Sequence, residues 1–216
     1  MTISLLTIII AATGIISYNA FTNRSLMDKM IYSPYRCKHN NEFYRTITHL
    51  FVHADWTHLL FNMMSLYFLG NVFLSAPPDT YVGISAGLIE SYGYLPGQFH
   101  LFVLYFAGGL FATLIPYFRN KDNPNYLALG ASGAVSSVIF AAIIWNPEMK
   151  LMLFFIPIGI PAYIFGPLYI AFEIYMDKRG NSNVAHDAHI GGAIFGIIYI
   201  LFLNFDKAKE LVNLVF

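Results

Sequence analysis

The sequence predicts an all-α fold, a polytopic bundle of six transmembrane helices. Three observations carry this expectation. Of the 216 residues, 57% are hydrophobic and only 11% are charged, against about 25% charged in an average soluble domain, and the mean hydropathy is +0.57. The apolar residues gather in six runs, most of them close to the roughly 20 residues a helix needs to cross hydrocarbon. The runs are long and continuous rather than alternating. They therefore read as helices and not as strands of a closed barrel, the other structure that satisfies its backbone in lipid.

The first run covers about residues 3–20. It lacks a basic leading segment and a small-residue cleavage site, so it reads as a retained span and not a signal peptide. A long polar connection, Thr22 to Thr48, carries Arg24, Lys29, Arg36, Lys38 and Arg45. The second run covers about residues 56–74, and the Gly-, Pro- and Ser-rich connection 75–98 after it has no Lys or Arg. The third covers about 99–118 and ends in a polar turn, Arg119 to Tyr126, that contains Asn-Pro. The fourth, about 127–145, is followed by the short connection Asn146 to Lys150, which predicts that spans four and five are antiparallel neighbours. The fifth, about 151–176, contains Pro157, Pro161 and Pro167. After a polar loop, Asp177 to Asp187, the sixth covers about 188–205. No repeat or second domain is visible, so residues 1–216 are read as one membrane domain.

Twelve Lys and Arg balance twelve Asp and Glu, which argues against a nucleic-acid partner. The lipid bilayer is the expected surround. The single Cys37 cannot make an intramolecular disulfide and does not report a redox compartment.

Polar groups inside apolar runs are functional suspects, because hydrocarbon penalises them. In the second run His58 and Asn62 stand four apart and share one helix face. They serve either as interhelical hydrogen-bonding groups or as donors in a site. The sixth run opens VAHDAHIGGAIFG, in which Gly192 and Gly196 form a GxxxG surface that admits a close neighbour. His189 precedes that surface by one turn. The run Gly130-Ala131-Ser132-Gly133 supplies a small-residue surface to oppose it, with Gly130 and Gly133 making the room. That pairing would bring Ser132 toward His189. A serine hydroxyl needs a base to become nucleophilic, and histidine suits that task near neutral pH. Acyl transfer also needs donors for the developing oxyanion. His58, Asn62 and the Ser132 amide, unpaired at a helix start, can supply them. Asp187 stands two residues from His189 and does not share its helical face. Glu173, near the end of the fifth run, reads as an interfacial or loop-anchoring group, and His186 as a loop-ordering one.

These residues resemble the rhomboid family of intramembrane serine proteases. The likeness rests on Gly130-Ala131-Ser132-Gly133 in the fourth span, His58 with Asn62 in the second, and His189 in AHIGGAIFG of the sixth, with Tyr44-Arg45, His49 and His53 ahead of the second. It extends from about Phe43 to Gly196. It implies a Ser–His dyad without a required third acid, with Ser132 as nucleophile and His189 as base, and His58 and Asn62 as oxyanion-stabilising groups. It further implies structural roles for His53 and Arg45, a mobile cap in 177–187 and a lateral gate in the fifth span. The implied substrates are transmembrane proteins cut within or beside their membrane helix. Two positions depart from the pattern. Tyr44 stands where a tryptophan is usual. Ser136 stands where some bacterial members have a tyrosine stacked on the histidine, so His189 is expected to be held differently, by a hydrogen bond.

Two other classes remain open at this level. One is a non-catalytic rhomboid-like protein that binds membrane clients, although such members typically lack the serine or the histidine. The other is a metal-dependent hydrolase or transporter built on the seven histidines. No HExxH motif and no evident intramembrane carboxylate cluster supports it, so no metal or cofactor is expected. The sequence sets no oligomeric state. Lys and Arg number five, two and two after spans one, three and five, against zero and one after spans two and four, with two in the tails. That count would place the Ser132 and His189 end in the cytoplasm. The family resemblance implies a site opening to the extracytoplasmic side instead.

Overall fold

The computed structural model describes residues 4–75, 86–153, 156–180 and 184–215. Helix α1 spans Leu5–Thr22, and the Ser4 hydroxyl accepts from the Thr7 amide at its start. The polar connection after it is folded. It contains α2 (Arg24–Met30), α3 (Pro34–Asn40), α4 (Arg45–Thr48) and a 3₁₀ turn, His49–Phe51. Arg45 organises this segment from a position 3% exposed. Its guanidinium donates to the carbonyls of Asp28 and Ile31 and pairs with Glu42.

Helix α5 (Trp56–Leu74) is capped by the Asp55 carboxylate, which accepts from the His58 amide. The short α6 (Leu88–Tyr92) leads into α7 (Tyr94–Ala112) and then α8 (Leu114–Asn120). Helix α9 runs from Ser132 to Trp145, and only Ser132 and Ile139 of its residues escape full burial. A helix apolar all round belongs in the interior, and α9 packs against α5, α7, α10, α11 and the terminal α12. It forms the axis of the bundle. An antiparallel hairpin, β1 (Lys150–Leu153) and β2 (Ile156–Pro161), precedes α10 (Ala162–Arg179). The chain closes with α11 (His186–Leu203) and the amphipathic α12 (Phe205–Val215).

Among the described residues, four helical segments are long and apolar enough to cross a membrane: Leu5–Thr22, Trp56–Leu74, Tyr94–Asn120 and His186–Leu203. The chain is a helical, multi-pass membrane protein. The expected fourth and fifth spans take different forms. Residues 127–131 are not helical. Ala128 bridges Tyr32 of the first connection, and Gly130 holds φ +104°, so the helix begins only at Ser132. Residues expected to open the fifth helix form the hairpin instead. Pro157 and Pro161 lack the N–H a helix interior requires, and α10 starts directly after Pro161. The link between α9 and α10 is therefore Asn146–Pro161, longer than the expected 146–150. Residues 76–85 of the second connection and 181–183 of the expected cap lie outside the described residues.

Lipid tails are as apolar as leucine, so helices in a bilayer associate through close packing and polar contacts. Glycines set that packing here. A Cβ at Gly192 would collide with the Gly133 carbonyl, and one at Gly196 with the Ser137 carbonyl. Helices α9 and α11 thus touch backbone to backbone. Gly130 plays another part. A Cβ there would lie 2.6 Å from Cε1 of His58, so this glycine makes room for the His58 ring and not for the Gly192/Gly196 face.

The folded first connection has a predictable acid limit. The hydrogen bond from Arg36 holds the Asp28 carboxyl below its ordinary value, and the one from Arg45 does the same for Glu42. A carboxylate depressed on folding stabilises above its unfolded pKa, about 4, and that contribution is lost as pH falls through the folded value. Amide protection factors in residues 24–45 should therefore fall below about pH 4 while those of α9 and α11 are kept. In Arg45→Ala the same segment should exchange fast already at pH 7.

Candidate active site

Ser132 is the first residue of α9 and His189 lies in the first turn of α11. Because α9 and α11 meet through Gly133 and Gly192, these two helix starts are drawn together. Ser132 Oγ stands 2.7 Å from His189 Nε2. The geometry suits the serine hydroxyl donating to Nε2, which leaves the proton of a neutral ring on Nδ1.

That second ring nitrogen also has a partner. His189 Nδ1 lies 3.0 Å from Glu173 Oε1, and His186 Nδ1 lies 2.6 Å from Glu173 Oε2. Both carboxylate oxygens of Glu173 are thus held by histidines of α11. The Glu173 side chain is 4% exposed. It is buried between α10 and the start of α11, where it bonds both His186 and His189. Hydropathy could not reveal this, since it does not say which helix a carboxylate faces. The spacing Glu173, His186, His189 was the available signal, but only the packing of α10 on α11 aligns it. The Tyr169 hydroxyl, one turn earlier on α10, sits 3.4 Å from Ser136 Oγ. The small Ser136 thus faces a tyrosine from α10, and His189 is met by a carboxylate hydrogen bond.

The approach to Ser132 is held from the first connection. The Gly130 amide donates to the His49 carbonyl at 3.0 Å, and the Ala131 amide donates to His53 Nε2 at 3.3 Å. His53 Nδ1 in turn meets Ser17 Oγ of α1 at 3.0 Å, and Ser17 donates to the Phe51 carbonyl. His53 therefore fixes the strand that leads into the serine helix. The His58 ring packs edge-on to His53, with centroids 4.9 Å apart, and against Gly130. Asn62 is buried, with Nδ2 donating to the His58 carbonyl at 3.2 Å. His58 is thus beside the loop that carries Ser132, and Asn62 is tied to its own helix one turn deeper. First-turn amides of a helix have no acceptor within it, and the helix N-terminus favours negative charge. The start of α9 is therefore suited to an oxyanion.

Gly130 is sensitive on two grounds, its φ of +104° and the nearby His58 ring. Gly130→Ala should cost about 1–3 kcal/mol from backbone strain and displace His58. A lowered Tm together with slower modification of Ser132 by a fluorophosphonate would register both effects.

Glu173, His186 and His189 could also hold a metal, since their ligand-type atoms all lie within 4.8 Å of one another. Two histidines and a glutamate are a known zinc donor set. The 2.6 and 3.0 Å separations are hydrogen-bond lengths, whereas ligands around one tetrahedral zinc stand about 3.3 Å apart. The group as it stands fits shared protons, and a metal would require it to spread.

Arg119, at the end of α8, pairs with Asp177 at 2.8 Å and reaches Asp187 at 3.4 Å. Lys38 pairs with Asp122 at 2.6 Å. The first connection, the 119–126 turn and the α10–α11 junction therefore gather at the end of the bundle where Ser132 and His189 lie.

A family model for the rhomboid domain matches residues 40–204. The chain is 28% identical over 208 residues to RHOMBOID-like protein 12, mitochondrial, of Arabidopsis thaliana, covering 88% of this chain and 55% of that protein. It is 33% identical over 108 residues to presenilin-associated rhomboid-like protein A, mitochondrial, of Danio rerio, and 32% over 111 residues to presenilin-associated rhomboid-like protein, mitochondrial, of Homo sapiens. These two matches cover 49% of this chain and 28% of each relative. The chain thus spans about half the length of the plant relative and under a third of the animal ones. The domain match takes in every helix from α4 to α11, including both glycine-packed helices that bring Ser132 to His189, and the chain belongs to the rhomboid family.

Proposed function

We propose that this chain is an intramembrane serine endopeptidase that cuts transmembrane proteins within or beside their membrane helix. The observation that carries the reading is the 2.7 Å approach of Ser132 Oγ to His189 Nε2 inside a bundle of apolar helices. The proposed topology has six spans, with α9 and α10 added to the four long apolar segments. Fourteen residues of α9 make about 21 Å of helix, shorter than the roughly 30 Å of hydrocarbon, and in the proposed topology the Ser132 end is the one that stops short of the membrane surface.

The proposed reaction runs in two halves. Ser132 Oγ bonds to the scissile carbonyl carbon as its proton passes to His189 Nε2. The tetrahedral oxyanion takes donors from the Ser132 amide, His58 and Asn62. For the last of these, Asn62 exchanges its bond to the His58 carbonyl for one to the oxyanion. The C–N bond then breaks, and the leaving amine takes the proton from Nε2. Water gives a proton to Nε2, attacks the acyl carbon and releases the acid, and the proton returns to Ser132. The peptide must leave its helical hydrogen bonds to reach this site, which favours substrates with helix-weakening residues near the cut.

The extracytoplasmic orientation of the site belongs to this reading. Terminal reporter fusions check it, and a site end on the cytoplasmic face would overturn that part. The whole reading is tested by fluorophosphonate labelling of purified protein alongside cleavage of a transmembrane reporter. Wild type should label at Ser132 and cut, and Ser132→Ala should do neither. Cleavage that survives in Ser132→Ala but is lost to chelators would favour the metal-dependent alternative at Glu173, His186 and His189. A folded wild type that neither labels nor cuts would favour a client-binding protein.

A further inference from the structure

We infer that Glu173 is a positioning residue for His189, so that the site works as a Ser–His–Glu triad. The inference rests on the serine-protease reading above and adds to it the group that holds the base. Three observations converge. The Glu173 carboxylate faces the nitrogen of His189 opposite the serine, with Nδ1 at 3.0 Å and Nε2 at 2.7 Å from Ser132 Oγ. A carboxylate on Nδ1 selects the Nδ1–H tautomer and leaves Nε2 as the acceptor the serine requires. The carboxylate is itself fixed. His186 holds its other oxygen at 2.6 Å, and its side chain is almost fully buried. Ser136, one turn along α9 from the nucleophile, faces the Tyr169 hydroxyl at 3.4 Å, and the group hydrogen-bonded to the far side of the His189 ring is Glu173.

The charged and titratable groups around His189 are few. Glu173 and Tyr169 come from α10, His186 and Asp187 from α11, and His58 from α5, with Arg119 of α8 turned to Asp177 and Asp187. Of these, Glu173 alone among the described residues is an acid hydrogen-bonded to the His189 ring. When His189 takes the serine proton at Nε2, the ring becomes a cation that keeps its Nδ1–H. Glu173 stays ionised and stabilises that cation through the same hydrogen bond, and no proton moves to Glu173.

The placement of Glu173 on α10 supplies a rival explanation that can be separated. A residue that only shaped substrate passage beside α10 would affect cleavage of a transmembrane reporter. It would leave untouched the attack of Ser132 on a small fluorophosphonate, which needs the base and no passage of a helix. The experiment measures both rates, KM and Tm for Glu173→Gln, Glu173→Ala and Glu173→Asp in the full chain. Glutamine keeps the volume and can still accept a hydrogen bond, but it lacks the charge. Glu173→Gln and Glu173→Ala should lose on the order of 10²–10⁴-fold in labelling rate and in reporter kcat alike, with KM little changed. Glu173→Asp should recover at least part of both rates. Where Glu173→Ala also lowers Tm, the folded Glu173→Gln variant decides. Labelling of Glu173→Gln within about twofold of wild type would overturn the inference, whether or not reporter cleavage falls. A wild type that does not label at Ser132 would overturn the protease reading and this inference with it.

Discussion

Ser132→Ala is expected to lower reporter cleavage by at least about 10⁴-fold, the scale on which nucleophile loss acts in enzymes of this chemistry. The alanine keeps the Cβ and the backbone amide at the start of α9, so helix packing and the first-turn donors persist. The substitution removes one hydroxyl that donates to His189 and nothing that supports the bundle. Tm should therefore stay within a few degrees of wild type. His189→Ala should fall to a similar floor, because neither group is useful without the other. The decisive measurement is the double variant Ser132→Ala/His189→Ala. Residues that act as one unit are not additive, so it should be no slower than Ser132→Ala alone. Two losses that multiplied would mean the hydroxyl and the ring act on separate steps.

Gly192→Ala should damage both stability and activity. The added methyl would enter the Gly133 carbonyl, a backbone atom that no rotamer change can move. Overpacking a tight interface costs about 1–3 kcal/mol, and here relief requires α9 and α11 to separate. Ser132 stands next to Gly133 and His189 one turn before Gly192, so the separation acts directly on their hydrogen bond. A displacement of about 1 Å at reacting groups can cost a hundredfold in rate. Gly196→Ala is the matched control, since its methyl meets the Ser137 carbonyl one turn further from the site. Comparable losses in Tm, with the larger loss of labelling rate in Gly192→Ala, would tie activity to the local approach. Equal labelling losses would show that the whole interface matters and the local contact does not.

The long apolar segments were legible in the sequence because hydrocarbon imposes one requirement, a run of apolar residues long enough to cross it. The observed first, second and sixth runs agree closely with expectation on that account. The paired strands at 150–153 and 156–161 were not legible as such. Their residues are as apolar as a span, and hydropathy reports burial preference but not backbone conformation. Pro157 and Pro161 were the visible warning, since a missing N–H disfavours a helix interior, although Pro167 is accommodated inside α10. The late start of α9 is similar. Residues 127–131 are apolar or small, but Gly130 takes a conformation that α-helices do not use, fixed by partners in a connection some 80 residues earlier.

The sequence by itself determined the chemical inventory, namely a serine among small residues, a histidine before a GxxxG surface and a histidine–asparagine pair on one helix face. Residue type and helical spacing are local properties, and they were enough to nominate Ser132, His189, His58 and Asn62. The tertiary structure alone decided what faces what. It turned Gly130 toward His58, tied Asn62 to its own helix and brought Glu173 of α10 onto the far side of His189. Those outcomes depend on the rotation and depth of whole helices, which are set by backbone contacts among glycines and by polar groups that have no water to satisfy them. A carboxylate in an apolar helix must find donors within the protein, and the two that Glu173 found at His186 and His189 became visible only when α10 and α11 were packed side by side.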